Sequence, residues 1–317
     1  GGGLQVTRST CWSEAQPPPL AGGGGSSESP LAPSSEGAVY ALVVGVGGVV
    51  SCAGRDKSVR LLDPSDGCCL SRLEGHSDRV NSLARVDELT LASGSNDKSV
   101  RLWRVERKGV GEGRCVAQLR GHKGGVHAVV AHRGLLLSGS SDQSVKLWDL
   151  SEASCVGTLW QSSHRSRETN AVHSLAVAGG DVLASGTWGG GVRLWDLHRC
   201  RCIHSLDAHK GAVWALLHSE GRLFSAGSDG TIHLWDPRGA ARRIGSLGST
   251  ATGGALYSLA ERDGLLLSGG FDQLVRVWDY RMMRCLNELP GHSGSVRCLA
   301  FQGSTLLSGS TDGTVRL

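Results

Sequence analysis

The sequence predicts an all-β fold in which small antiparallel sheets, none able to stand alone, close into a ring. Three observations predict it. The stretch Leu135–Leu150 (LLLSGSSDQSVKLWDL) reads as two short strands joined by a tight polar turn. The same pattern returns six more times. Two further β-rich runs, exemplified by Val126–Val129 and Cys115–Leu119, complete each copy as a four-stranded unit. Such a sheet has two apolar faces, and a closed ring gives every unit a neighbour on each side to bury them.

Residues 1–36 are rich in Gly, Ser and Pro, a composition that buries too little apolar surface to offset the entropy of ordering. They read as a flexible tail or linker, with Leu4–Trp12 the only part of strand character. The repeat begins at Gly37. Its turn position is occupied by Asp56, Asp97, Asp142, Gly189, Asp229, Asp272 and Asp312, at intervals of 41, 45, 47, 40, 43 and 40 residues. The units span about 37–74, 75–120, 121–163, 164–207, 208–248, 249–290 and 291–317. Arg104–Gly113 lengthens the second unit, and Gln161–Thr169 lengthens the entry to the fourth; its His164, Arg165 and Arg167 read as part of a solvated loop. The chain stops at Leu317, inside the third strand of the seventh unit. The fourth strand is expected beyond that point, and Leu4–Trp12, reached through Ser13–Ser34, is the alternative, since an unpaired edge invites aggregation.

Thirty-three Lys and Arg against 29 Asp and Glu leave a formal charge of +4, without a long run of one sign, which argues against a dedicated nucleic-acid binder. No stretch approaches the ~18 apolar residues of a membrane span, and no charged-then-apolar leader opens the chain. The protein reads as soluble and intracellular, cytoplasmic and/or nuclear. Cys69, Cys115, Cys202 and Cys285 each lie seven residues before His76, His122, His209 and His292, with Cys155 in a similar place. Their recurrence predicts buried small hydrophobes. Cys200–Arg201–Cys202 is too close-spaced for a zinc knuckle, so no metal is expected.

Gly-His stands at Gly75–His76, Gly121–His122 and Gly291–His292, with Ala208–His209 in the fifth unit. Trp-Asp stands at Trp148–Asp149, Trp195–Asp196, Trp235–Asp236 and Trp278–Asp279, degenerating to Leu62–Asp63 and Trp103–Arg104 in the first two. With a period of 40 to 47 residues, these dipeptides make Gly37–Leu317 resemble the WD-repeat β-propeller family. The resemblance implies a seven-bladed propeller whose last blade is incomplete at the C-terminus. It also implies a hydrogen-bonded set in each blade: His76, Ser93, Asp97 and Trp103 in blade 2; His122, Ser138, Asp142 and Trp148 in blade 3; His209, Ser225, Asp229 and Trp235 in blade 5. Blade 4, with Glu168 and Gly189 in the His and Asp places, and blade 6, with Thr252 for His, are expected to open more easily.

Ser, His and Asp recur together once per repeat, which an active site has no reason to do, so Ser138, His122 and Asp142 are not read as a hydrolase triad. No Gly-x-Ser-x-Gly elbow or Walker-type loop is present. The chain is expected to be no enzyme and to need no cofactor. Binding is the better reading. The resemblance implies that two residues per blade face the narrow end of the ring. The first set is Tyr40, Asn81, His127, His173, Trp214, Tyr257 and Arg297; the second is Arg55, Asn96, Ser141, Trp188, Ser228, Phe271 and Thr311. Trp188, Trp214, Tyr257 and Phe271 form an aromatic sector, and Arg297, Arg55 and Arg79 a basic one. Some aromatics would on the bland reading simply plug the channel mouth. As an interface they suit a protein partner, a peptide or loop with an apolar or aromatic anchor and an acidic or phosphorylated end. The function expected is a non-enzymatic interaction scaffold. Leu223–Arg238 and Leu266–Arg281 resemble the DWD box of cullin-RING ubiquitin-ligase receptors, which would make Arg238 and Arg281 adaptor-facing and the chain a substrate receptor. An RNA-associated scaffold is a further alternative, suggested by the mild basic balance.

Overall fold

Apolar residues at every second position fold each repeat into a four-stranded antiparallel sheet, as in Val126–His132, Leu135–Ser140, Ser144–Asp149 and Ser154–Trp160 of blade 3. The computed structural model describes residues 11–12, 37–45, 48–63, 67–105, 113–161, 170–239, 241–248 and 254–317. Within them lie seven four-stranded sheets. Six run in chain order from the centre outwards. The seventh takes Val296–Gln302, Thr305–Ser310 and Val315–Arg316 from the C-terminal repeat, and Cys11–Trp12 pairs antiparallel at its outer edge, with Cys11 opposite Arg316 and Trp12 opposite Val315. Those two residues belong to the stretch that the sequence offered as the alternative fourth strand. The rest of the tail, Glu168, Thr252, His164, Arg165, Arg167 and most of the Arg104–Gly113 insertion lie outside the described residues.

The innermost strands, Val39–Val44, Val80–Arg85, Val126–His132, Val172–Val177, Val213–Ser219, Leu256–Arg262 and Val296–Gln302, each touch the next, and the last touches the first. This closes the ring. On one side of it lie the tight turns between second and third strands. The residue after the turn Asp, or after Gly189 in blade 4, is left-handed in every blade: Lys57, Lys98, Gln143, Gly190, Gly230, Gln273 and Gly313, with φ between 66° and 90°. Gly190 has a further reason to be glycine, because a Cβ there would run into the His209 carbonyl.

The core lies between blades. Each Trp of the third strand packs on the preceding blade: Trp103 on Leu61 and Leu73, Trp148 on Leu102 and Leu119, Trp195 on Leu147 and Leu159, Trp235 on Val192 and Leu194, Trp278 on Ile232 and Leu247. One such indole buries about 200 Å², worth roughly 5 kcal/mol of transfer free energy before entropy is subtracted. At the junction of blades 1 and 7 the smaller Leu62 takes this role, against Cys298, Leu307 and Val315.

The recurring cysteines correct the sequence reading: Cys69, Cys115, Cys155, Cys202 and Cys285 are exposed, and the buried ones are Cys52 and Cys298. The recurrence has a backbone cause. Each of the five sits opposite the Trp position on the outermost strand, where the ladder shifts by a β-bulge, and its thiol points at the carbonyl two residues on. That strand has no blade outside it, so a fixed position need not be a buried one. A bulge also disrupts an open edge that would otherwise pair with another chain.

Candidate functional site

The polar sets within the blades fix the frame. In blade 2, His76 Nδ1 lies 2.7 Å from Asp97 Oδ2, its Nε2 2.7 Å from Ser93 Oγ, and Trp103 Nε1 donates to the same Ser93 Oγ at 2.7 Å. An ionised carboxylate only accepts, so Nδ1 carries the proton, Nε2 accepts from the serine, and the serine accepts from the indole. His122, Ser138, Asp142 and Trp148 repeat this at 2.7–2.8 Å, and His209, Ser225, Asp229 and Trp235 at 2.8–3.2 Å. Burial alone would raise the Asp97, Asp142 and Asp229 carboxyls, but hydrogen bonds from the His, the following Ser or Thr and the backbone outweigh it and hold them well below the usual range.

Two blades that the sequence marked as defective have substitutes. In blade 4 the histidine place goes to Gln161, 1% exposed, whose Nε2 donates to Ser185 Oγ at 2.8 Å and whose Oε1 accepts from Arg193 at 2.8 Å. By sequence Gln161 opens a loop insertion; the structure buries it in the core. In blade 6, Arg276 bridges Asp272 at 2.7 Å and Glu288 at 2.7 Å, while Trp278 still donates to Ser268 at 2.8 Å.

On this frame the first predicted set is aimed by a repeated backbone device. Tyr40, Asn81, His127, His173, Trp214, Tyr257 and Arg297 each stand where the innermost strand shifts register against the second, so each is the extra residue of a β-bulge. A bulged residue is freed from the alternation of the sheet. All seven line one central cavity of about 560 Å³, together with Arg79 and Trp188. Members of the second set are tied to the first within a blade: Asn81 Nδ2 to Asn96 Oδ1 at 3.3 Å, His127 Nε2 to Ser141 Oγ at 2.6 Å, and Trp214 Nε1 to Ser228 Oγ at 2.8 Å. Arg55 and Asn96 line an adjoining recess with Tyr40, Lys57, Asp78 and Arg79. Phe271 stands apart from both cavities, 59% exposed.

The rings form a continuous arc. His127 stacks on His173 at 4.3 Å, His173 meets Trp188 at 5.3 Å and Trp214 at 5.0 Å, the two indoles meet edge-on at 5.5 Å, and Trp214 meets Tyr257 at 5.5 Å. Arg297 ends the arc, its guanidinium carbon 3.7 Å from the Tyr257 ring centroid and 5.9 Å from that of Tyr40. Among the described residues, Arg55, Arg79 and Arg297 have no carboxylate within ion-pair distance. Burial, reinforced by Arg79, lowers the His127 pKa to about 4; burial, His127 and Arg79 lower that of His173 to about 3. Both imidazoles are therefore neutral at physiological pH, and the charge at the channel mouth comes from guanidinium groups.

Arg238 and Arg281 lie elsewhere, after the third strands of blades 5 and 6, on the side away from the tight turns. Arg238 is exposed and pairs with Asp236 of its own turn at 3.1 Å. Arg281 reaches the neighbouring blade, pairing with Glu220 at 3.2 Å, which also accepts from the Tyr280 hydroxyl at 2.7 Å. Among the described residues no helix is long and apolar enough to cross a membrane.

Comparison with known proteins agrees with this architecture. The family model described as WD domain, G-beta repeat matches residues 67–104, 113–149, 200–236 and 283–317. The chain is similar to pre-mRNA-processing factor 19 homolog 2 of Arabidopsis thaliana, 31% identical over 195 residues, covering 60% of this chain and 36% of that protein. It is similar to the same degree to pre-mRNA-processing factor 19 of Oryza sativa subsp. japonica, 31% over 196 residues, with 60% and 36% covered. It thus spans little more than a third of the length of these relatives. The crystal structure of the computationally designed Ika8 protein superposes with a TM-score of 0.68 at 26% identity, covering 88% of this chain and 82% of that one. With seven four-stranded sheets in a ring and the matched repeats along it, the chain is a WD-repeat β-propeller.

Proposed function

We propose that this propeller is a non-enzymatic scaffold that binds a partner peptide or loop across the channel mouth on the side of the tight turns. One observation carries the reading: seven bulged residues line a single cavity with an aromatic arc on one flank and, on the other, guanidinium groups that have no carboxylate partner among the described residues. Aromatic and Arg side chains dominate binding energy at interfaces. The partner that fits has an apolar or aromatic anchor for Trp188, Trp214 and Tyr257, followed by a carboxylate or phosphate for Arg79, Arg55 or Arg297.

The test is a set of synthetic peptides with an aromatic anchor, with and without Asp, Glu or phosphoserine beside it, titrated against the wild type and a Trp214→Ala/Tyr257→Ala variant. Anchors of this kind are worth about 2 kcal/mol each, so affinity should fall by roughly 100-fold or more with unchanged circular dichroism. A folded double variant that keeps its affinity overturns the reading.

A second reading follows from the relatives, whose names are those of pre-mRNA-processing factors. On it the scaffold works within an RNA-processing assembly, in the nucleus, and RNA retention that falls steeply with salt distinguishes direct RNA contact from a protein partner. The ligase-receptor reading rests on the resemblance of Leu223–Arg238 and Leu266–Arg281 to the DWD box; co-purification of an adaptor, lost in an Arg238→Ala/Arg281→Ala variant, tests it.

A further inference from the structure

Blade 5 departs from the other six at one place. Four residues after the turn position the other repeats carry a cation, namely Arg60, Arg101, Lys146, Arg193, Arg276 and Arg316, whereas blade 5 carries His233. This buried imidazole lies against His209, rings stacked at 4.5 Å and 21°, and the ligating atoms of His209, Asp229 and His233 all fall within 4.8 Å of one another.

The Thr231 hydroxyl completes the group. Its Oγ1 is 2.8 Å from Asp229 Oδ1, 3.3 Å from His209 Nδ1 and 3.5 Å from His233 Nε2, while His209 Nδ1 is 3.0 Å from Asp229 Oδ1. Donors bound to zinc at 2.0–2.1 Å in a tetrahedron lie about 3.3 Å apart. Four of the six edges of such a tetrahedron are 2.8–3.5 Å here, and the two from His233 to His209 and Asp229, within 4.8 Å, are those that the turn of His233 must close. His209 Nε2 is already held by Ser225 Oγ at 2.8 Å, which is how a ligating histidine is usually oriented from behind.

We propose that blade 5 is a binding site for a zinc-class divalent cation, held by His209 Nδ1, an Asp229 oxygen and His233 Nε2, with Thr231 Oγ1 at the fourth corner. On binding, the proton between His209 and Asp229 leaves Nδ1 for solvent while Nε2 takes one up and becomes the donor to Ser225 Oγ, so His209 ligates as a neutral imidazole with no net change in protons, and His233 turns about its Cβ–Cγ bond to bring Nε2 into line. A closed set of four protein donors leaves no position for substrate, so the role is structural. In the other blades the cation at the corresponding place repels a metal ion.

The experiment uses the full chain, stripped with chelator and with its exposed thiols alkylated, titrated with Zn²⁺ by calorimetry and with Co²⁺ by visible absorption. One equivalent should bind, with the intense bands of tetrahedral cobalt and a raised melting temperature. His233→Arg installs the residue type that most other blades use, so it should fold normally and lose affinity by more than about 100-fold. Failure of the wild type to bind one equivalent, or an equivalent that survives in His233→Arg, overturns the proposal.

Discussion

Replacing Gln161 by Ala tests the inference that blade 4 has its own substitute for the missing histidine. The side chain is fully buried and makes two hydrogen bonds, donating to Ser185 and accepting from Arg193, both at 2.8 Å. Ser185 keeps its bond from Trp195 at 2.8 Å, so one of its two partners survives. Arg193 loses a neutral acceptor in a half-buried place. One stranded group costs about 1–3 kcal/mol and the cavity left by the side chain about 1 more, giving roughly 2–4 kcal/mol. At about 2 °C per kcal/mol for a domain of this size, the melting temperature should fall by about 4–8 °C. Gln161→Leu keeps most of the volume, so the difference between the two variants separates cavity from polar loss. Equilibrium denaturation with tryptophan fluorescence reads both. A loss below about 0.5 kcal/mol in Gln161→Ala would mean that Gln161 is surface-like and that blade 4 is held by packing alone.

Other outcomes follow from the same geometry. The His127 and His173 rings should stay neutral in the folded protein down to pH about 4 and about 3. Their folded pKa lies below the unfolded value of about 6.5, so the unfolded chain binds more protons between the two and stability falls as pH drops from ~6.5 towards ~4. Ring-resonance titration by NMR checks this, and a midpoint near 6.5 for either would contradict it. Gly190→Ala should destabilise by about 3 kcal/mol, because φ is +90° and the new methyl meets the His209 carbonyl. It should also loosen His209, whose amide donates to Gly190 O at 3.0 Å; a wild-type denaturation midpoint would refute the contact.

The ring and its repeated polar sets were legible because periodicity repeats the evidence: a turn Asp with a His, Ser and Trp at fixed offsets cannot recur by accident. The channel-lining residues were legible by position, since each follows the apolar residue that opens the innermost strand. That each is a bulge was not, because register depends on the partner strand. Gln161 escaped because it stands two residues after the buried Leu159, where His122 stands three after Leu119, and the insertion that follows hides the offset. The exposed cysteines escaped for the opposite reason. Recurrence reports a fixed backbone place, and on the outermost strand that place faces solvent. His233 was visible as the one imidazole in a column of cations, a signal that appears only when the repeats are compared with one another.

Partner engagement at the channel mouth on the turn side is the binding mode proposed above. Hydrogen–deuterium exchange of the chain with and without a captured partner measures this directly. Binding there gives new protection at the starts of Val172–Val177, Val213–Ser219 and Leu256–Arg262 and in the turns that carry Arg55 and Trp188, with the outermost strands unchanged. Protection confined to the outer strands or to the turns around Arg238 and Arg281, with the mouth exchanging as before, would contradict it.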